Sequence, residues 1–270
     1  MLKDVQNLAD DRNIDIARVG VKKLRYPTTV FDKDMGEQQT IAEFNMYVDL
    51  PRHYKGTHMS RFVEILNKHG RRVSLRHLSE ILEAMKHKLN AKRAQLELTF
   101  PYFIEKAAPV TGTKSLMEYK INMTGSLGDS LDLMLGLHIP VNTLCPCSKE
   151  ISKFGAHNQR GEVCLKVRFK KFVWIEDLVK LAESAASSGV YSLLKREDEK
   201  FVTEHAYKTP RFVEDVVREI AIVLTNDPNI IWFSAECENF ESIHNHSAYA
   251  CVEYDKYNKQ QDHSSSKEEA

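Results

Sequence analysis

The chain has 270 residues, of which 42% are hydrophobic, enough to fill a core without disulfides. Lys plus Arg and Asp plus Glu both number 38, a balance that argues against a general polyanion-binding surface and a polybasic membrane patch, so neither a nucleic acid nor a membrane is expected as partner. No run approaches the ~18 apolar residues of a membrane span, the opening MLKDVQNLADDRN lacks the apolar centre of a signal peptide, and an odd set of cysteines at 145, 147, 164, 237 and 251 does not form a secreted disulfide pattern, which together imply a cytoplasmic protein with reduced thiols.

In chain order, residues 1–17 are polar and read as a mobile segment, as does the tail 257–270 with its QQDHSSSKEEA end. From Ile41 to Leu50 apolar and polar residues alternate, with Ala42, Phe44, Met46, Val48 and Leu50 on one face, which predicts a half-buried strand able to pair with Val19–Val30. Met59, Phe62, Val63 and Leu66, then Leu75, Leu78, Leu82, Met85 and Leu89, fall at helical spacing on either side of Gly70. Alternation returns at Ala94–Phe100 and Met117–Met123. Leu131–Val141 and Val163–Phe169 predict two more strands, followed by helices around Ile175–Ala182 and Phe212–Leu224. Between those helices the charged stretch from about 189 to 210 reads as a long connection, and strands at Ile230–Glu238 and Ala248–Tyr254 close the chain. The order strand-strand-helix-helix-strand-strand thus occurs twice, over 18–125 and 126–256, which argues for an α+β architecture of antiparallel sheet with helices on one face.

Polar chemistry gathers in the second half. Leu144–Ser152 (LCPCSKEIS) sets Cys145 and Cys147 around a proline that restricts the turn, and His157 follows before the next strand. Thiolate and imidazole are ligands for zinc and similar ions, but these three residues need a fourth partner, so both an open catalytic site and a closed structural zinc site remain compatible with the loop. Glu197, Asp198 and Glu199 fit a solvated acidic run, and Glu214 fits a carboxylate near a helix N-terminus. His244 and His246 lie between the last two strands.

Four separated stretches carry a resemblance: LCPCSKEIS at 144–152, GAHNQR at 155–160, GTHMSRF at 56–62 and ESIHNH at 241–246. Together, in their order along the chain, they resemble GTP cyclohydrolase I of the prokaryotic type IB, over about residues 15–256. The resemblance implies tandem tunnelling-fold (T-fold) modules, a homotetramer with active sites at subunit interfaces, and conversion of GTP and water to 7,8-dihydroneopterin triphosphate and formate. This reaction leads to folate and to queuosine-type tRNA bases. It implies a divalent metal (Zn, Mn or Fe(II)) held by Cys145, His157 and Glu199, with water activated by the metal attacking guanine C8. Glu214 is implied to hold the guanine edge, His244 and His246 to move protons or, for His244, to ligate, and Cys147 to stand near the metal as a second thiol. Thr57, Ser60, Arg61 and Lys149 are the candidates for the triphosphate, although Arg61 also fits as an ordinary helix-surface residue. The rival readings are another T-fold enzyme, such as a pterin synthase or a nitrile reductase of queuosine synthesis, and a non-catalytic zinc protein.

Overall fold

The computed structural model describes Gln6 and residues 8–257, with the side chains of Leu75 and Arg76 excepted. Residues 1–5 and 7 of the expected N-terminal segment, and the expected tail from 258 on, lie outside the described residues. The elements are β1 (Ile16–Asp32), β2 (Gly36–Leu50), α1 (Met59–His69), β3 (Arg72–Val73), α2 (Leu75–Leu89), β4 (Ala94–Ala107), β5 (Lys114–Leu127) and β6 (Leu131–Leu144). They continue with α3 (Pro146–Ile151), β7 (Asn158–Phe169), α4 (Ile175–Ala185), β8 (Ser188–Gly189), α5 (Arg196–Lys208), α6 (Val213–Asn226), β9 (Ile230–Phe240) and β10 (Ser247–Asp255). Hydrogen-bonded neighbours follow the order β10-β9-β7-β6-β5-β4-β2-β1-β3, with β8 on β6. The α+β class expected from the alternating and helical periods is the one observed.

The chain forms two compact units, Met1–Tyr102 with Ile121–Leu135, and Phe103–Lys120 with Gly136–Ala270. In the first, β1 pairs antiparallel with β2 from Ile16↔Leu50 to Asp32↔Gly36, interrupted by register shifts that include one between Val21 and Leu24. At that bulge Lys23 takes a positive φ of 56° and its N–H donates to Asn45 Oδ1 at 2.8 Å, which explains why β1 lacks clean alternation. Phe44, Met46, Phe62, Leu66, Leu78, Ile81, Leu82 and Met85 form its core, each removed from water and each stabilising the fold by roughly 1.5–3 kcal/mol.

In the second unit β7 pairs antiparallel with β9, and β9 with β10, while α6 packs on β9 and β10 and against α4. Val163, Leu165 and Val167 of β7, Val216, Val217 and Ile220 of α6 and Phe233 and Ala235 of β9 are all buried in this unit. The predicted alternation of β6 holds from Leu135 to Val141, whereas Leu131 at its start is exposed.

Three features depart from the expected elements. The stretch 189–210 is not a plain connection but contains α5, which the apolar period could not announce because only Asp198 and Ala206 of its residues are buried. The thiol loop contains the one-and-a-half-turn helix α3, started by Pro146 at its first position. β7 begins at Asn158, five residues before its apolar alternation, so His157 sits immediately at the strand's edge.

Candidate active site

The thiol loop is tied to its histidine by the backbone. Cys145 N–H donates to His157 O at 3.1 Å, Ser148 Oγ donates to Cys145 O at 3.1 Å, and His157 N–H donates to Ser148 Oγ at 3.2 Å. Gly155, at φ +77°, makes the reversal that returns the chain to Cys145, a conformation that side-chain-bearing residues rarely adopt. Cys145 caps α3, its Sγ accepting the Ser148 N–H at 3.4 Å, and is half-buried, whereas Cys147 is exposed. The residue before it is clamped from both sides: Leu144 N–H donates to the buried Ser187 Oγ at 3.0 Å, and Leu144 O accepts from Arg211 N–H at 3.1 Å.

His157 Nδ1 lies 3.0 Å from Gln159 Oε1 and 3.2 Å from Ser242 Oγ. The second contact brings the 241–246 segment against the thiol loop, and there the rings of His244 and His246 stack at 5.1 Å, both exposed. Strand pairing prepares this approach, because Gly161 of β7 faces Asn239 of β9 and a Cβ at Gly161 would stand 2.5 Å from the Asn239 amide oxygen. A side chain there would have to displace the Asn239 amide.

Lys149 Nζ donates to Tyr207 O at 2.6 Å and lies 4.5 Å from the Tyr207 ring, which ties α3 to the end of α5. Arg211 then leads into α6, where Phe212 N–H donates to Asp215 Oδ2 at 3.0 Å. This cap turns Asp215 inward and leaves Glu214 exposed in the first turn. Glu214 lies close enough to β9 to act on Cys237, whose thiol is pushed up to about 12 by burial and then by the Glu214 charge. Cys237 is therefore an inert core thiol.

Cys145, His157, Ser242, Lys149 and the approach to Glu214 are thus assembled around one loop. Glu199 is not: it occupies the first turn of α5, eight residues before Tyr207 and so about 12 Å along the helix from it. Among the described residues no three His, Cys, Asp or Glu side chains stand in metal-binding geometry. Thr57, Ser60 and Arg61 belong to the first unit, where Arg61 Nη1 donates to Lys88 O at 3.2 Å and so engages the last turn of α2.

Two residues that carry this arrangement were not singled out by sequence. Asp198, read as part of a solvated run, is buried and accepts from Val110 N–H and Thr111 N–H at 2.9 Å each, Thr111 Oγ1–H at 2.7 Å and Lys195 N–H at 2.9 Å. Burial pushes its carboxyl up, but the four hydrogen bonds outweigh that and hold it at about 2, below the ordinary 3.8. A carboxylate with a lowered folded-state value adds stability above pH 4 and loses it as pH falls through about 2. Asp198→Asn is accordingly expected to melt earlier than wild type at pH 7, with the gap closing in melts between pH 4 and 2; an unchanged melting temperature at pH 7 contradicts the anchor. The other residue is Gln159, the buried second position of β7. With α5 unannounced by the apolar period, no expected helix start marked Asp198 as a cap partner, and nothing local marked Gln159.

Comparison with known proteins now decides what the loop belongs to. A family model described as "Type I GTP cyclohydrolase folE2" matches residues 2–250. The chain belongs to the type I GTP cyclohydrolase FolE2 family. Its relatives include the GTP cyclohydrolase FolE2 of Geobacter sp. strain M21, 60% identical over 93% of this chain and 94% of that one. That of Syntrophobacter fumaroxidans is 60% identical over 94% and 99%. In architecture the chain is similar to uricase from Arthrobacter globiformis, with a TM-score of 0.53 at 7% identity over 92% of this chain and 96% of that one. A hyperthermostable Bacillus sp. TB-90 urate oxidase mutant gives 0.54 at 10% identity over 90% and 99%. At such identities these two establish the fold alone, the T-fold.

Proposed function

We propose that the chain converts GTP and water to 7,8-dihydroneopterin triphosphate and formate at the start of folate synthesis, using a divalent metal held by Cys145 and His157. The observation that carries the metal reading is the pairing of a half-buried thiol with an imidazole on one backbone-closed loop. One sulfur and one ring nitrogen fit zinc, iron(II) or manganese to different degrees. A bound divalent ion supplies Lewis acidity and makes water nucleophilic near neutral pH. The chain's own groups do the rest. Exposed Glu214 accepts the guanine N1–H and 2-amino protons with its two oxygens and orients C8 toward the loop. His244 and His246, stacked on the segment that reaches His157, move protons at the ribose and during closure of the new ring. Cys147, exposed one residue past Pro146, stands as a second thiol beside the loop. Thr57, Ser60, Arg61 and Lys149 supply hydroxyls and charge for the triphosphate, with Lys149 releasing Tyr207 to do so.

No helix among the described residues is long and apolar enough to cross a membrane, and the reading places the enzyme in the cytoplasm. The repeated β-β-α-α-β-β order supports two T-fold modules, 18–125 and 126–256. A homotetramer with shared sites completes the reading. Ile151 and Phe154 of the thiol loop are 84% and 86% exposed and Ile243 is 65% exposed, an apolar rim that a second copy of the chain would cover. Glu199 would then reach the metal from that copy. Co-assembled Cys145→Ala and Glu199→Ala chains, each inactive alone, are expected to recover about a quarter of wild-type turnover, since random mixing restores that share of shared sites. Absence of recovery in verified mixed oligomers contradicts the shared site.

Stripping the protein with chelator and restoring zinc, manganese or iron(II) separately tests the metal. Formate and pterin are expected to return together with at least one ion. If no ion restores GTP-dependent formate release while the fold persists, the metal reading fails.

A further inference from the structure

We propose that Gln159 is a positioning residue that fixes the tautomer of His157. Its side-chain carbonyl accepts the Nδ1 proton, leaving the Nε2 lone pair for a divalent cation, an inference that rests on the reading of His157 as a ligand. Gln159 Oε1 stands 3.0 Å from His157 Nδ1, and Gln159 is only 6% exposed, so water does not compete for its carbonyl. Ser242 Oγ, from the loop between β9 and β10, approaches the same nitrogen at 3.2 Å. The backbone on either side of the ring is also engaged, His157 N–H by Ser148 Oγ and His157 O by Cys145 N–H. Two elements therefore hold Nδ1 while the main chain holds the ring's root.

A neutral imidazole has one N–H and one lone pair, and the partner of one nitrogen decides which role falls to the other. An oxygen acceptor at Nδ1 makes Nε2 the free base. The opposite orientation of the Gln159 amide, with its NH2 toward the ring, would place the proton on Nε2 and exclude a cation there. An amide, unlike a carboxylate, accomplishes this without adding charge beside the Cys145 thiol. The device also couples the ligand to the His244 and His246 segment, since Ser242 starts that turn.

The test uses the full chain, freed of metal and labelled with 15N-histidine, with His157 identified by its loss in His157→Asn. Long-range proton–nitrogen correlation is expected to show the proton on Nδ1. Calorimetric titration with zinc is expected to show Gln159→Leu binding about 10- to 100-fold more weakly than wild type, the usual cost of losing such an outer partner. Gln159→Glu, which can accept the same proton, is expected to return affinity to within a few-fold. A wild-type proton on Nε2, wild-type zinc affinity in Gln159→Leu, or an equal loss in Gln159→Glu at unchanged melting temperature overturns the proposal. A wild-type chain that carries the Nδ1 proton but binds no zinc overturns instead the reading of His157 as a ligand.

Discussion

Cys145→Ala is expected to keep its fold and lose its metal, with kcat/KM for GTP falling about 10³-fold or more. The fold survives because α3 buries none of its residues and Cys145 Sγ accepts a single hydrogen bond, from Ser148 N–H. Losing a cap of this kind costs about 0.5–2 kcal/mol, small for a chain with two cores. The site has no such reserve. A metal's contribution to stabilising developing charge is several kcal/mol, and each ~1.4 kcal/mol is tenfold in rate. Metal content by mass spectrometry and formate release, measured on the same sample, check the two halves of the prediction. Full turnover in the alanine variant would sink the assignment of Cys145.

Glu214→Gln should weaken GTP binding about 10²–10³-fold while changing turnover at saturation far less. Losing one charge-assisted hydrogen bond, at about 1.5–3 kcal/mol, and weakening the other to a neutral one, at roughly 1 kcal/mol, gives that range. The helix itself is not at stake, because Asp215 caps α6 and Glu214 faces outward. A second readout separates recognition from general damage. Wild type is expected to discriminate strongly against inosine triphosphate, which lacks the 2-amino donor, whereas the variant should bind the two nucleotides nearly equally. Unchanged preference for GTP in the variant would remove Glu214 from the guanine edge.

How much of this was readable without coordinates depends on the period of each element. Strands with one buried face, such as Ile41–Leu50 and Val163–Phe169, showed themselves through alternation, and α6 through its apolar stripe. α5 did not, because its buried positions are an aspartate and an alanine and its large apolar side chains, Phe201 and Tyr207, are exposed. Hydrophobic patterning is blind to a helix anchored by hydrogen bonds to the Val110–Thr111 turn. The same blindness applies at the site. Cys145 and His157 were visible as residue types at suggestive spacing, and the short loop between them is enough for a backbone bond to join them. Ser242, 85 residues away, meets His157 only through the pairing of β7 with β9, a fact of register that no local window contains. Glu199 is the instructive opposite. Resemblance named it, yet a single chain keeps it about 12 Å along α5 from the turn that touches the loop.

The central claim is that this chain hydrolyses guanine at C8. The most direct measurement follows GTP labelled with 13C at C8 by NMR in the presence of the metal-restored enzyme. The account predicts that the C8 resonance is replaced by one equivalent of labelled formate for each pterin formed. Consumption of GTP with the label retained in a purine, or no consumption with any of the three ions, would contradict it.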